Sequence, residues 1–448
     1  MSTASKTPRE IKLGLFPQDV GHHIASWRHP DAPPMGLTSI DFYRSMAQTA
    51  ERAKLDMVFF GDQMAGQYPE DETMGRTSRM LRMEPTTVLA ALSAVTTHIG
   101  LIATVSTSYF EPYHVARKFA TLDQISGGRS GWNVVTSFNE YEAKNFNRGE
   151  VLAPAVRYQK AHEFLEATNA LWDSWDDDAF IVDKAGGQFF ELDRLHVANH
   201  RGDYFSTRGP LNVPRSPQGR PVVVQAGSSD EGRDFASRFS EVVFTAQPNL
   251  QASQAFYADV KARAVAHGRS PDDLKIMPGV MPIIGSSLQE AQDKFQELQA
   301  LIDPKVGWML LTRHLNGLDL SAYPLDALVE DLPLQEVVHT RQRLLLDMAR
   351  RDHMTVRKLY ERATGSRGHS LLLGTAEQIA DQLEEWFVER GADGFNVMPP
   401  LMPSCVVDFV TQVVPLLQRR GLFRTEYAGR TLRENLGLSY PANQFKKA

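Results

Sequence analysis

A single cysteine, Cys405, stands among the 448 residues, so neither an intrachain disulfide nor a zinc site built on cysteine thiolates can form. That usage fits a reducing compartment, and a cytoplasmic location is expected. Long hydrophobic runs are missing too. Nothing approaches the ~20 apolar residues of a membrane helix, and the opening MSTASKTPREIKLGLF lacks the apolar core of ~7–15 residues that marks a secretory signal. Excess positive charge is absent: 48 Lys and Arg stand against 54 Asp and Glu, a formal net charge of −6. Nucleic acid, whose phosphates need a basic cluster, is therefore not an expected partner, and neither is a membrane. GxGxxG, Walker and GxSxG patterns do not occur, which removes the signatures of Rossmann, NTPase and serine-hydrolase sites. HVANH places His196 and His200 four apart, but Val197 stands where a zinc-protease motif needs Glu, so no metal is expected.

What the chain does contain is a rhythm. Short runs rich in Val, Ile and Phe recur at 11–16, 56–62, 99–108, 131–137, 221–229, 241–247, 275–285 and 394–400, most of them followed by a segment of helical period. Eight such βα units predict an α/β TIM (β/α)8 barrel, with a doubly wound open sheet as the competitor. Two stretches interrupt the alternation. Residues from about 176 to 220 read as inserted hairpins and loops, and those from about 302 to 370 as a second, irregular insertion. The expected organisation is one domain over 1–448 with these insertions and a C-terminal extension from about 421 to 448. Thr375 with Gln378 fits a capping box at the start of the last barrel helix.

In such a barrel the chemistry collects at the strand ends. VFFGDQ ends in Asp62, either an N-cap or a buried acceptor, and LIATVSTS sets Thr104, Ser106 and Ser108 on one face by strand period. GWNVVTS carries Asn133, Thr136 and Ser137, while VVVQAGSS ends in Gly227, Ser228 and Ser229. Ser228 with Glu231 fits a capping box, and a helix starting there offers free N–H groups to a phosphate. His22, His23 and His314 are the histidines placed for acid/base work. ISGGR, at 125–129, reads as a glycine turn feeding the fourth strand.

A barrel with a phosphate seat and neither nucleophile nor metal suits an enzyme whose cofactor carries the chemistry. GHHIASWRHP, FFGD, EPYHVARKFATLDQISGGRSGWNVVTS, GDYFSTRGPLNVPRSPQGRPVVVQAGSS and GTAEQIADQLEEWF together resemble the nitrilotriacetate and dibenzothiophene-sulfone monooxygenase family, a branch of the bacterial-luciferase-like FMN-dependent monooxygenases. The resemblance implies a two-component enzyme. Reduced FMN would come from a separate NAD(P)H-dependent flavin reductase, and O2 would oxygenate a small organic substrate through a peroxyflavin. By the same resemblance, Asp62, Thr104, Tyr158, Ser228 and Ser229 contact the flavin. Asn133 lies near the isoalloxazine, and His314, His22 and His23 face the substrate. Trp27, Phe60, Trp132 and Phe244 are candidates for a water-excluding shell. The family's usual histidine four residues before Tyr158 is replaced by Pro154, which removes one phosphate donor, so that FMN binding is either weakened or offset by nearby Arg157. A homodimer or homotetramer is expected on the same basis. A deazaflavin-dependent oxidoreductase and a non-catalytic flavin-binding protein are the alternatives.

Overall fold

Strands buried on both faces have no side to offer water, and such strands close on one another beneath a layer of helices. The computed structural model, which describes residues 9–66, 72–147, 150–315, 317–333, 340–365 and 368–446, shows that closure. The barrel strands are β1 (Lys12–Leu15), β2 (Met57–Phe60), β3 (Gly100–Ser106), β4 (Ser130–Val135), β5 (Val222–Gln225), β6 (Val242–Thr245), β7 (Lys275–Ile284) and β8 (Gly394–Val397). Each pairs in parallel with its neighbour, and β8 returns to β1. These are the eight runs read from the sequence. Between them lie α1 (Ile40–Arg52), α2 (Pro85–Ser93), α3 (Pro112–Ser126), α4 (Pro154–Trp172), α5 (Asp230–Phe239), α6 (Leu250–Ala266) and α7 (Leu288–Ala300).

The glycine turn has the expected role. Gly127 caps α3 with φ 69°, a left-handed conformation that a side chain resists, and Gly128 follows at φ 88°. Arg129 then turns inward and uses its guanidinium on the end of α2. Its Nη2 donates to the carbonyls of Ser93 and Thr96, and its Nη1 to Thr96 Oγ1 and the Ile99 carbonyl. A buried cation at a helix C-terminus satisfies orphan carbonyls and the negative end of the dipole together.

Strand parity sorts β4 into two environments. Trp132 points outward, wholly buried among Phe119, Phe164 and Trp172, and its indole donates to the Val105 carbonyl. Asn133 points into the barrel. Followed around the barrel, the strand registers accumulate the stagger of about eight residues that a (β/α)8 barrel requires. That stagger sets Phe59, Asn133, Phe244 and Asn396, from alternate strands, on one interior level. Phe59 and Phe244 accordingly meet across the barrel, with ring centroids 5.7 Å apart. The opposite mouth is plugged by residues from the C-terminal segment. Leu432, Leu436 and Leu438 join the interior cluster of Met57, Ile102 and Val222, and Arg424 pairs with buried Asp56.

The first insertion contains two antiparallel pairs, Phe180–Asp183 with Gln188–Phe190 and His200–Arg201 with Ser206–Thr207. Glu163 of α4 ties it down by accepting from the Tyr204 and Phe205 amides. The second insertion corrects the sequence reading: it is largely helical rather than irregular. It holds α8 (Pro304–His314), α9 (Thr340–Arg351) and α10 (Val356–Gly365), packed on Leu311, Leu315, Leu346 and Leu359. Pro304 occupies the first turn of α8 behind the Asp303 N-cap, where its missing N–H costs nothing. A ninth parallel strand, Ser370–Gly374, pairs with the end of β7 beyond the point where β6 stops. It precedes α11 (Ala376–Val388), whose Thr375–Gln378 capping box forms as expected. The insertion leans over the barrel mouth: α8 packs on Ile24 and Ala25 beyond β1, and Arg76 beyond β2 pairs with Asp303.

Candidate active site

The C-terminal ends of β2, β4 and β5 frame a cavity of about 550 Å³, floored by Val134 and Gln225 and roofed by residues 138–142. Asp62 lines it. Burial pushes its carboxyl up to about 6, against the hydrogen bond that Oδ1 accepts from the Gln63 amide. Tyr158 enters from the first turns of α4, and its hydroxyl lies close above Gly227 and Gly232. A Cβ at either glycine would stand 2.8 Å from that oxygen, so the backbone there is held open.

Ser229, not Ser228, caps α5, with its side chain accepting from the Gly232 amide at 3.1 Å. The expected box of Ser228 and Glu231 does not form: with the cap at Ser229 the third helical residue is Gly232, which has no side chain to return a hydrogen bond. Gln225 Oε1 takes the Gly227 amide, which turns the chain before the helix can start. Both serines are exposed at the rim. Pro154 sits in the first turn of α4 and contributes no N–H donor. Arg157, one turn on, donates from Nη1 to the Ser137 carbonyl at 2.8 Å, while its buried Nε has no partner among the described residues.

Beneath this cavity a short chain of hydrogen bonds crosses the strands. Asn133 Nδ2 donates to Thr104 Oγ1, which donates to the Phe60 carbonyl, both at 2.8 Å. Asn133 Oδ1 is buried without a partner among the described residues, as are both amide atoms of Asn396 on the same level. An unmade hydrogen bond in the interior costs about 1–3 kcal/mol, so these amides mark places where something polar belongs. Beside them stands an aromatic cluster, with Phe16 edge-on to Phe59 at 4.8 Å and to His22 at 4.7 Å.

The expected water-excluding shell is redrawn accordingly. Only Phe244 of the four aromatics faces the interior. Trp132 lies outside the strands, Phe60 packs outward on Tyr43, and Trp27 is exposed. Phe16 and Phe59 face the interior beside Phe244.

The three expected histidines do not line the cavity. His22 is buried, its Nε2 bonded to the Phe16 carbonyl at 2.7 Å. His23 accepts the Ala25 amide on Nδ1, and burial holds its pKa down to about 4. His314 ends α8. His196 and His200 bond to Asp176 and Glu163, and no group of metal-ligand spacing occurs among the described residues. A histidine that the sequence reading misses lies nearer the mouth. His369 stacks on Phe244 at 5.3 Å, in room left by Gly279, where a Cβ would meet the Phe244 ring at 2.8 Å. Glycine inside the β7 run was its only trace in the sequence.

A closed parallel barrel with a polar cavity at its strand ends defines an α/β-barrel enzyme. The luciferase-like monooxygenase family model matches residues 21–394, and the chain belongs to that family. It is 50% identical to N-acetyl-S-(2-succino)cysteine monooxygenase of Bacillus subtilis (strain 168), over 98% of this chain and 99% of that one. It is 45% identical to nitrilotriacetate monooxygenase component A of Aminobacter aminovorans, over 98% and 99% of the two chains. Among solved structures, EDTA monooxygenase from Chelativorans sp. BNC1 superposes with a TM-score of 0.82 at 33% identity, covering 96% of this chain and 99% of that one. No helix among the described residues is long and apolar enough to cross a membrane.

Proposed function

We propose that the protein is the oxygenase of a two-component system, taking reduced FMN from an NAD(P)H-dependent flavin reductase and inserting one atom of O2 into a small organic substrate while the other leaves as water. The observation that carries this reading is the cavity at the ends of β2, β4 and β5. One end suits a phosphate, because the Tyr158 hydroxyl stands there against Gly227 and Gly232 at the start of α5. The cavity also has a flatter end at Asp62 and Val134, above Asn133. Its volume lies in the usual range for a cofactor pocket, ~300–1,000 Å³. The name of the Aminobacter relative, a component A, supports the need for a partner.

When bound, reduced FMN supplies the electrons that activate dioxygen. Arg157, Tyr158 and Ser229, with exposed Ser228 beside it, would hold its phosphate end. Asp62, Thr104 and Asn133 would meet its ring, where the buried Asn133 Oδ1 is an open acceptor. Phe16, Phe59 and Phe244 keep water from the reacting centre. His22 acts through Phe16, whose carbonyl it holds, and is a positioning residue. His23, neutral near pH 7, contributes packing rather than a proton.

The test is titration of the cofactor-free protein with FMN, reduced FMN and a deazaflavin. It is followed by turnover with a flavin reductase and labelled dioxygen on a panel comprising a succinylated cysteine, an aminopolycarboxylate, an aryl sulfone and a long alkane. Reduced FMN is expected to bind, and label to enter one panel member. Preference for the deazaflavin, or flavin binding with no label incorporated, overturns the reading.

A further inference from the structure

A second cavity, of about 310 Å³, lies across the barrel mouth from the first, on the side of β6 and β7. Its inner wall is His369, the residue that stacks on Phe244 inside the barrel, together with Leu371, which packs against the interior cluster. One imidazole therefore separates this chamber from the interior level that carries Asn133 and Asn396. Its outer wall is a face of α10. Lys358 and Arg362, one turn apart, both line the chamber, and Phe295 and Met354 supply apolar surface.

The charges of that wall do not balance. Among the described residues neither Lys358 nor Arg362 forms an ion pair or a side-chain hydrogen bond. Most arginines of the neighbouring surface do: Arg357 bonds to Asp326 and Arg351 to Asp352. The single carboxyl in the chamber, Glu361, is drawn toward its neutral form by burial. Half-buried Arg362 and exposed Lys358 thus face one carboxyl that burial pulls toward its neutral form against the opposing charges of Arg357 and Lys358. A half-buried guanidinium without a carboxylate partner keeps its fork of donors free to match a carboxylate ligand.

We propose that this chamber seats a carboxylate of the substrate, held by Lys358 and Arg362, so that the compound oxygenated is an organic acid whose reactive end passes His369 toward the barrel mouth. The proposal rests on the oxygenase reading above. Lys358 and Arg362 are specificity-determining residues and take no part in holding the flavin.

The experiment measures equilibrium binding of the two carboxylated panel members and of their amides, at low and high salt. It uses the full chain and its Lys358→Ala, Arg362→Ala and Arg362→Lys variants. The acids are expected to bind and the amides not, each alanine variant weakening the acids by roughly tenfold to a hundredfold. Arg362→Lys keeps the charge and recovers part of that loss, and salt weakens the acids alone. Acids that bind no tighter than their amides, or alanine variants with unchanged affinity, overturn the proposal. Thermal midpoint and reduced-FMN affinity are read on every variant. If label enters an uncharged substrate with no dependence on Lys358 or Arg362, the carboxylate seat falls and the oxygenase stands. If the wild-type chain binds no reduced flavin, the oxygenase reading itself falls.

Discussion

Replacing Asp62 by Asn isolates the electrostatic cost of the cofactor cavity. The carboxyl titrates at about 6 instead of 3.8, chiefly because burial strips its water, with Glu84 and Glu142 adding to the shift and Arg82 opposing it. Two pH units correspond to about 3 kcal/mol, an upper limit for a group that still faces an open cavity. The native state binds this proton more tightly than the unfolded chain. Stability associated with it is therefore complete below pH 3.8, declines as pH rises through the window up to about 6, and is gone above it. Asparagine keeps the acceptor for the Gln63 amide and removes the titration. The assay is urea unfolding of cofactor-free wild type and Asp62→Asn near pH 4 and near pH 7.5. The variant is expected to gain about 2 kcal/mol on the wild type between the two conditions. A difference between the two proteins that stays constant with pH would refute the assignment.

Asn133→Leu keeps the volume but deletes the donor to Thr104 and the open acceptor. It is expected to weaken reduced-flavin binding about tenfold in a fluorescence titration, and unchanged affinity together with unchanged oxygenation would return Asn133 to a packing role. Arg157→Ala is expected to weaken FMN by roughly tenfold while leaving riboflavin, which has no phosphate, unaffected. Equal losses for both would place the phosphate elsewhere. Arg129→Met strands four buried carbonyls and should lower unfolding free energy by about 3 kcal/mol or more in urea. A loss under 1 kcal/mol would mean that water reaches the end of α2.

The barrel was legible because each strand is a short apolar run between turn residues, and Gly127 and Gly128 mark one junction unambiguously. Inside from outside was not. A run buried on both faces carries no polar alternation to say which side is which, so Trp132, Phe60 and Phe244 look alike in sequence although only Phe244 faces the interior. Asp62 and the Gly-Ser-Ser run were legible since strand ends and helix starts announce themselves through polar residues, whereas Tyr158 came only through the family resemblance. His369 and Asn396 were not, because one follows a long insertion and the other sits in the middle of a strand, where a lone polar letter resembles an edge position. The helices of the second insertion were not legible: the first of them opens on Pro304, and the meaning of a proline depends on whether a helix begins there or is interrupted.

The leucines at 432, 436 and 438 that close the barrel's N-terminal mouth have a consequence for biosynthesis. All eight strands are translated before these residues exist, so the nascent barrel spends the last stage of synthesis with one end of its apolar interior open to water. A chaperone that reads exposed leucine, isoleucine and methionine would find its target on the strands rather than on a loop. A chain cut just after Arg430 would display that same interior permanently, making quality control, rather than catalysis, the first process to notice the loss.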